Sequence, residues 1–425
     1  MARAPALQAG GRRFDSDYLH YRGPIKIIGP LFFYICLIYT NQDIDILTIF
    51  AKNAVMCHSL LFMDTELFLQ MLNIDSTSGK ECEFADFLAV RFEAPGRHVQ
   101  VFEVGDGTRN ILVSWGDPKV IFCSHLDTVP PYISPSVDDV SDCIFRGRGT
   151  CDAKGQIFAM YEACRVLEAQ GCRDFGLLLL SGEETGSFGA KAFNRMDVPQ
   201  LQDSWVIVGE PTDNHMASAA KGTKSFEVTF TGKACHSGYP ENGESAIEYF
   251  NDFMNALRSI VFPDDEILGE TTWNIGKLIS DNPQNILSDC LTCRVYFRTT
   301  FESDEMVCNI MKNIAGPDAK LRFGRRTVQD GSDIVAKAVA PWQKAMSVVA
   351  HGGDSPSRFE IFEGFASKPV AFGSDAPQLS CFGHKILCGP GSILVAHKDV
   401  EHISMSDLEA ATANYVKMYK IIKDK

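Results

Sequence analysis

The chain has 425 residues, of which 45% are hydrophobic and 22% charged, and 40 Lys and Arg stand against 54 Asp and Glu for a formal net charge of -14. This composition excludes a wholly disordered chain, and the length, at roughly 100–200 residues per domain, predicts two or three domains. The acidic balance argues against general nucleic-acid binding, which needs clustered Lys and Arg. Fourteen scattered cysteines favour reduced thiols in a cytoplasmic protein over a disulfide framework.

Residues 1–62 are expected to form an extension outside the fold. Their apolar run from Ile27 to Tyr39 contains Pro30 and is shorter than the about 20 residues that a spanning helix needs, so we predict no membrane span. A leader peptide stays open as an alternative, because basic residues precede the run. The amphipathic segment that begins at Met63 is the expected start of the fold, and Met63 is a candidate initiator.

Short apolar runs alternate with helical patterns in the rest of the chain. The runs are Val120–Cys123, Phe175–Leu180 and Trp205–Val208, and the helices are Gly155–Ala169 and Ser406–Ile422. Apolar runs between helices are typical of buried strands. The pattern predicts an α/β catalytic domain made of residues 63–220 and 331–425, with a mostly parallel sheet and helices on both faces.

Residues 221–330 show a different order of elements. Alternation at Ser225–Phe230, strands at Thr271–Ile279 and Leu291–Thr299, and helices near Ala246–Ile260 and Met306–Ile314 predict a β-α-β-β-α-β unit whose last strand starts at Leu321. We therefore expect a ferredoxin-like α+β domain inserted into the first.

Histidines and carboxylates follow the predicted strands and precede one helix. They are His125, Asp127, Asp152, Glu183, Glu184, Glu210 and His397. A lone His-x-Asp is common, an Asp before a helix is usually a cap, and two adjacent Glu usually form a solvated turn. Most of these residues recur roughly 30 residues apart, however, which is about the length of one βαβ unit. Imidazole and carboxylate ligands with one bridging carboxylate predict a two-metal site, and a further Glu is left as a base.

These segments resemble those of the di-zinc amidohydrolases and metallopeptidases that include acetylornithine deacetylase, succinyl-diaminopimelate desuccinylase and carboxypeptidase G. The resemblance extends from Met63 to the carboxyl terminus. It is closest to acetylornithine and acetylcitrulline deacetylases, through Gly389-Pro390-Gly391-Ser392, Ala396-His397 and Glu401.

The resemblance implies a role for each residue. His125, Asp152 and Glu210 would bind one divalent ion, and Asp152, Glu184 and His397 the other, with zinc expected and cobalt or manganese as alternatives. Asp127 would orient His125, and Glu183 would be the general base. A homodimer formed through the inserted lid domain would let His236 reach the partner's site, and Asn285 and Arg298 would hold the substrate carboxylate.

The expected activity is hydrolysis of an N-acyl amino acid, of the acetylornithine or acetylcitrulline type, in arginine synthesis. Succinyl-diaminopimelate desuccinylase and a carboxypeptidase or dipeptidase are alternatives with the same chemistry. A non-enzymatic metal- or amino-acid-binding protein would have no need of Glu183 as a base beside Glu184.

Overall fold

The computed structural model describes residues 63–105, 107–138, 143–196, 201–323 and 338–425. The extension predicted for residues 1–62 lies outside these residues. The helices of the described part are α1 (Thr65–Leu72), α2 (Glu81–Phe92), α3 (Lys154–Ala169), α4 (Phe188–Asn194), α5 (Ala246–Arg258), α6 (Asp304–Asn313), α7 (Pro341–Lys344) and α8 (Met405–Lys423).

The strands of the described part belong to four sheets. They are β1 (His98–Gly105), β2 (Thr108–Trp115), β3 (Val120–His125), β4 (Ser136–Asp138), β5 (Ile144–Arg146), β6 (Phe175–Leu180), β7 (Trp205–Val208), β8 (Met216–Ala220), β9 (Gly222–Thr231), β10 (Thr272–Ile279), β11 (Cys290–Thr299), β12 (Met346–Ala350), β13 (Ser357–Arg358), β14 (Ser367–Val370), β15 (His384–Leu387) and β16 (His402–Ser404).

The largest sheet has the strand order β1-β2-β6-β3-β7-β15. Strands β6, β3, β7 and β15 run parallel, while β1 and β2 form an antiparallel hairpin at one edge. The predicted mostly parallel sheet is therefore confirmed, and the hairpin is an addition that the sequence did not indicate.

Helices cover both faces of this sheet. Successive residues of a strand point to opposite faces, so one strand contributes to both cores. Phe122 of β3 packs into the same core as α3 and α8, whereas Cys123 packs into the core that holds Phe193 of α4. Every residue of β3, β6 and β7 is buried, as expected for parallel strands covered on both sides.

A second, antiparallel sheet has the order β10-β11-β9-β12. Helices α5 and α6 pack on it through apolar residues such as Phe253, Leu257 and Met311. The predicted last strand at Leu321 is wrong: residues 321–323 form no strand, and β12 supplies the fourth strand instead. Trp342 of α7 and Met346 also join this core, so the inserted domain includes residues beyond the predicted boundary at 330. That boundary itself falls in residues 324–337, outside the described part.

Candidate metal centre

The predicted site residues meet at one edge of the large sheet. His125 is the last residue of β3, Glu183 and Glu184 follow β6, Glu210 follows β7, and His397 lies in the loop after β15. The carboxyl ends of parallel strands end at the same edge, which is why residues far apart in sequence become neighbours.

Asp152 lies at the centre of the cluster, in the turn before α3. Its Oδ1 is 3.0 Å from Nε2 of His125, and its Oδ2 is 3.2 Å from Nε2 of His397. The same nitrogen of His397 is 2.9 Å from Oε1 of Glu184. Two atoms bound to one zinc ion, each at about 2.1 Å, lie about 3.0–3.4 Å apart for bond angles of about 90–109°. The donor set and its spacing therefore fit divalent ions, and each oxygen of Asp152 faces a different histidine.

Two groups of possible ligands share Asp152. One is His125, Asp152 and Glu210, and the other is Asp152, Glu184 and His397; within each group the candidate ligand atoms lie within 4.8 Å of one another. A third such group joins His125 to Glu183 and Glu184. The structure thus brings together the five predicted ligands in the two predicted sets.

The electrostatics of the cluster favour the binding of cations. Burial would lower the pKa of His125, but the nearby carboxylates of Asp127 and Asp152 and the charge of Glu210 raise it well above its usual value. Hydrogen bonds to Asp152 and Glu184 raise the pKa of His397 to about 10. In both cases neighbouring carboxylates attract a proton to a position where a metal ion can bind instead.

The pKa values of Glu183 and Glu210 are also raised, by burial and by the neighbouring negative charges. Burial raises the pKa of Glu210 well above its usual value, and the charges of Glu183 and Asp152 raise it further against the opposing effect of His125. Burial likewise raises the pKa of Glu183 well above its usual value. Carboxylates crowded in a buried site repel one another, and bound dications would relieve that repulsion.

Asp127 differs in detail from its predicted role. Nδ1 of His125 is 2.9 Å from the backbone carbonyl oxygen of Asp127 but 3.5 Å from Oδ1 of its carboxylate. The carboxylate instead accepts hydrogen bonds from the backbone amides of Glu183 and Glu184, at 3.0 and 3.1 Å, and from the hydroxyl of Ser78 at 2.9 Å. Asp127 therefore orients the histidine with its main chain and fixes the adjacent glutamates with its side chain.

Asp375 is a member of the site that the sequence did not assign. It is 2% exposed, and among the described residues neither carboxylate oxygen has a partner in good hydrogen-bond geometry, although the side chain of Ser187 is near enough to oppose the rise in its pKa. Burial raises its pKa to about 7, and its charge contributes to the raised pKa values of Glu183 and Glu210. In the sequence, Asp375 lies in the loop Gly373 to Pro377, and similar loops cap many strands.

The predicted substrate residues lie in the inserted domain. His236 and Asn285 are exposed neighbours: the amide of Ser237 donates to the carbonyl of Asn285 at 2.9 Å. The amide of Gly238 donates to Nδ1 of His236 at 3.0 Å, which leaves Nε2 to carry the proton of the neutral ring. Within the described residues, neither His236 nor Asn285 has a hydrogen bond to the metal-site cluster.

Arg298 is the predicted substrate residue that lies next to the catalytic domain. Its Nη1 is 3.9 Å from the position that a Cβ atom on Gly373 would occupy, beside the loop of Asp375. Its guanidinium lies 5.0 Å from the ring of Tyr296, and no carboxylate among the described residues forms an ion pair with it. A half-buried cation without a counter-ion at this position is suited to an anionic ligand.

Residues 121–420 match the family model described as Peptidase family M20/M25/M40. The chain belongs to this peptidase family. It is 30% identical over 381 residues to a probable carboxypeptidase of Aspergillus clavatus, an alignment that covers 81% of this chain and 85% of that protein. The chain is accordingly a hydrolase of the M20 family, and the alternative of a non-enzymatic binding protein is set aside.

Solved structures of M20 peptidases share the fold. A tripeptidase from Staphylococcus aureus superposes with a TM-score of 0.68 at 21% identity, over 87% of this chain and 99% of that one. A protein from Bacillus subtilis described as a dinuclear metal binding peptidase from the M20 family gives a TM-score of 0.59 at 12% identity, over 88% and 99% of the two chains.

The comparisons support the family but not the finer expectation. The Aspergillus clavatus, Staphylococcus aureus and Bacillus subtilis proteins are peptidases by name, so a particular closeness to acetylornithine deacetylase is not established. Among the described residues, no helix is long and apolar enough to cross a membrane.

Proposed function

We propose that the protein uses two divalent metal ions, most simply zinc, to hydrolyse the amide bond of a residue that carries a free carboxylate. The observation that carries this proposal is the pair of ligand groups that share Asp152, with Glu183 beside them. A shared carboxylate is the arrangement that holds two ions close enough to act on one substrate.

Two divalent ions held by these groups would lower the pKa of bound water and polarise the scissile carbonyl. Glu183 accepts the proton of the attacking water and returns it to the leaving amine. Its backbone amide is held by Asp127, which fixes where its carboxylate can act. A buried carboxylate with a raised pKa suits both halves of this cycle, because it can hold the proton between the two transfers.

Arg298 binds the substrate carboxylate in this proposal, with Asn285 as a further polar contact. Arginine is suited to this role since its guanidinium can pair with a carboxylate through two parallel hydrogen bonds. His236 stabilises the tetrahedral oxyanion through Nε2–H, and it is supplied by the second subunit of a homodimer formed through the inserted domain. Its exposure and its lack of contact with the cluster of its own chain support a role at the partner's site.

The substrate class follows from the bond that is cleaved. Carboxypeptidases and N-acyl-amino-acid deacylases both break an acyl–NH bond next to a residue with a free carboxylate, and they differ only in the size of the acyl side. We propose a carboxypeptidase-type peptide substrate, which accords with the name of the Aspergillus clavatus relative. An N-acetylornithine or N-acetylcitrulline deacylase is the second candidate, favoured by the residues of the loop from Gly389 to His397.

A matched substrate series tests the proposal. Compounds with one carboxyl-terminal residue and acetyl, succinyl, aminoacyl or dipeptidyl groups on its nitrogen are compared by kcat/KM, each beside its carboxyl-terminal amide. A carboxypeptidase prefers the peptidyl compounds, and a deacylase prefers acetyl. Equal cleavage of the carboxamides would refute the requirement for a carboxylate.

Glu183→Gln tests the catalytic assignment. We expect this variant to bind metal as the wild type does and to lose roughly 10²–10⁴-fold in kcat, which is the usual contribution of a general base. Loss of metal with little change in the kcat of the loaded protein would instead make Glu183 a ligand, as its grouping with His125 and Glu184 would then indicate.

A further inference from the structure

Arg148 and Glu401 form a buried ion pair directly behind the metal-site cluster. Nη1 of Arg148 is 2.6 Å from Oε2 of Glu401, and their side chains are 2% and 0% exposed. Neither is among the possible metal ligands, and the proposed mechanism uses neither. A buried ion pair is seldom worth more to stability than apolar side chains of similar size, so its stability contribution alone does not explain its presence.

The second oxygen of Glu401 holds the turn of the shared ligand. Oε1 accepts hydrogen bonds from the backbone amides of Cys151 and Asp152, both at 3.1 Å. The carbonyl of Glu401 also accepts from the amide of Gly147 at 3.1 Å, at the other end of the same turn. The backbone that carries the Asp152 carboxylate is thus fixed from a residue far along the chain.

The guanidinium of Arg148 also contacts the loop of His397, through the same nitrogen that binds Glu401. Nη1 donates to the carbonyl of Lys398 at 3.4 Å, and Nε donates to the carbonyl of Pro131 at 3.2 Å. His397 has φ = +62°, a left-handed conformation that a residue with a Cβ adopts only when its surroundings impose it. Its side chain is 49% exposed, so packing around the ring does little to hold it.

The remaining ligands are held by other means. His125 is part of a fully buried strand, and its ring contacts the carbonyl of Asp127. The amide of Glu184 donates to the carboxylate of Asp127, and Glu210 lies two residues after the end of β7. No described hydrogen bond joins any of these three ligands to Arg148 or Glu401.

From this asymmetry we infer that the Arg148–Glu401 pair is a positioning device for the second ion site. It holds the loop of His397 in register with Asp152, so that the group Asp152, Glu184 and His397 binds its ion tightly only while the pair is intact. The group His125, Asp152 and Glu210 depends on it much less, because His125 and Glu210 are fixed by the sheet. This inference rests on the proposed two-metal site.

The experiment is a calorimetric titration of the metal-free protein with zinc, repeated with Co²⁺ and followed by the visible absorption of the bound ion. Arg148→Lys keeps the charge but removes the fork that reaches two carbonyls. The double variant Arg148→Gln with Glu401→Gln removes both charges and therefore leaves no buried charge unpaired. It is the second variant to test in case a single substitution prevents folding.

Arg97→Lys is the matched control. Arg97 forms a partly buried ion pair of 2.5 Å with Glu168 and also donates to a backbone carbonyl, that of Phe92, but it contacts no possible ligand. We expect wild type and Arg97→Lys to bind two ions alike. Arg148→Lys and the double variant should bind one ion with nearly unchanged affinity and the other about 10–100-fold more weakly, as is usual when groups that orient ligands are lost.

A double-mutant cycle identifies the weakened site. In a His397→Ala background, which removes a ligand of the second site, Arg148→Lys should have no further effect on the remaining ion. Three results would overturn this inference but not the proposed function. They are equally weakened binding of both ions, wild-type affinity in the Arg148 variants, and the same loss of affinity in Arg97→Lys. A wild-type protein that binds fewer than two ions would overturn the proposed function and the inference with it.

Discussion

The substitution Asp127→Asn separates two contributions of a buried carboxylate, one to the stability of the fold and one to metal binding. Asp127 is fully buried, and its two oxygens accept hydrogen bonds from the amides of Glu183 and Glu184 and from the hydroxyl of Ser78. Asparagine keeps one oxygen and turns an NH₂ group toward the other donors. One backbone amide therefore loses its acceptor, which should cost about 1–3 kcal/mol in the free energy of unfolding of the metal-free protein.

The effect on metal binding should come through Glu184 rather than His125. The contact of His125 with the carbonyl of Asp127 survives the substitution, whereas the amide of Glu184 loses its fixed position. Loss of an orienting group usually weakens metal binding about 10–100-fold, or about 1.4–2.8 kcal/mol. The kcat of the fully loaded protein should also fall, because Glu183 is held by the same carboxylate.

Denaturant unfolding of the metal-free protein and calorimetric metal titration measure the two effects separately. Asp86→Asn is the control, since this exposed carboxylate pairs with Arg109 on the surface and should change unfolding by at most about 1 kcal/mol. If Asp127→Asn unfolds and binds metal like the wild type, the hydrogen bonds of its carboxylate do not hold the glutamates, and the reasoning fails.

Three further predictions follow from the same geometry. Arg298→Ala should raise KM for substrates with a free carboxylate about 10–100-fold and leave the poor cleavage of their carboxamides unchanged. An equal loss of activity on both kinds of substrate would show that Arg298 does not bind the carboxylate. If His236 acts at the partner's site, mixing inactive His236→Ala and Glu183→Gln subunits should restore about a quarter of wild-type activity, because half of the dimers are mixed and each mixed dimer has one intact site. No recovery of activity after verified subunit exchange would contradict this role of His236. The metal-free protein should lose stability as pH rises from about 6 to 9. The raised pKa values of His397, about 10, and of His125, Glu183 and Glu210 leave the folded state with more bound protons than the unfolded state in that window, and they outnumber Lys154, whose pKa burial lowers to about 7 and which acts in the opposite direction above that pH. Unfolding in chelator at several pH values checks this, and a flat or rising curve would contradict it.

The elements that could be predicted from the sequence are those with a strong local pattern. The run at Phe175–Leu180 and the helix near Gly155–Ala169 appear in the structure with almost the predicted bounds, because fully buried strands and apolar periodicity are local signals. Strand β12 could not be predicted in this way. Its pairing with β9 joins segments far apart in the chain, and its five residues carry no alternation that distinguishes them from a loop.

The candidate ligands could be predicted for a related reason. Each follows a strand or precedes a helix, so a local rule about strand ends placed them at one edge. Asp375 and Arg148 escaped this rule, because what marks them is a property of the folded chain. The significance of Asp375 is that its buried oxygens lack hydrogen bonds, and that of Arg148 is a partner 253 positions away in the sequence.

The catalytic and inserted domains carry different parts of the proposed activity. This is why membership of the family indicates the type of reaction more closely than it indicates the substrate. The candidate ligands and Glu183 are held by the sheet and its two cores, and in the proposed mechanism they serve amide hydrolysis whatever the substrate. Arg298, Asn285 and His236 lie on the inserted domain, whose own core does not include the ligand-bearing strands. Changes there can alter which acyl group or residue is accepted without moving a metal ligand. Substrate specificity should therefore respond to substitutions in the inserted domain and in the loop of Asp375, while metal affinity should respond to those near Asp127 and Arg148.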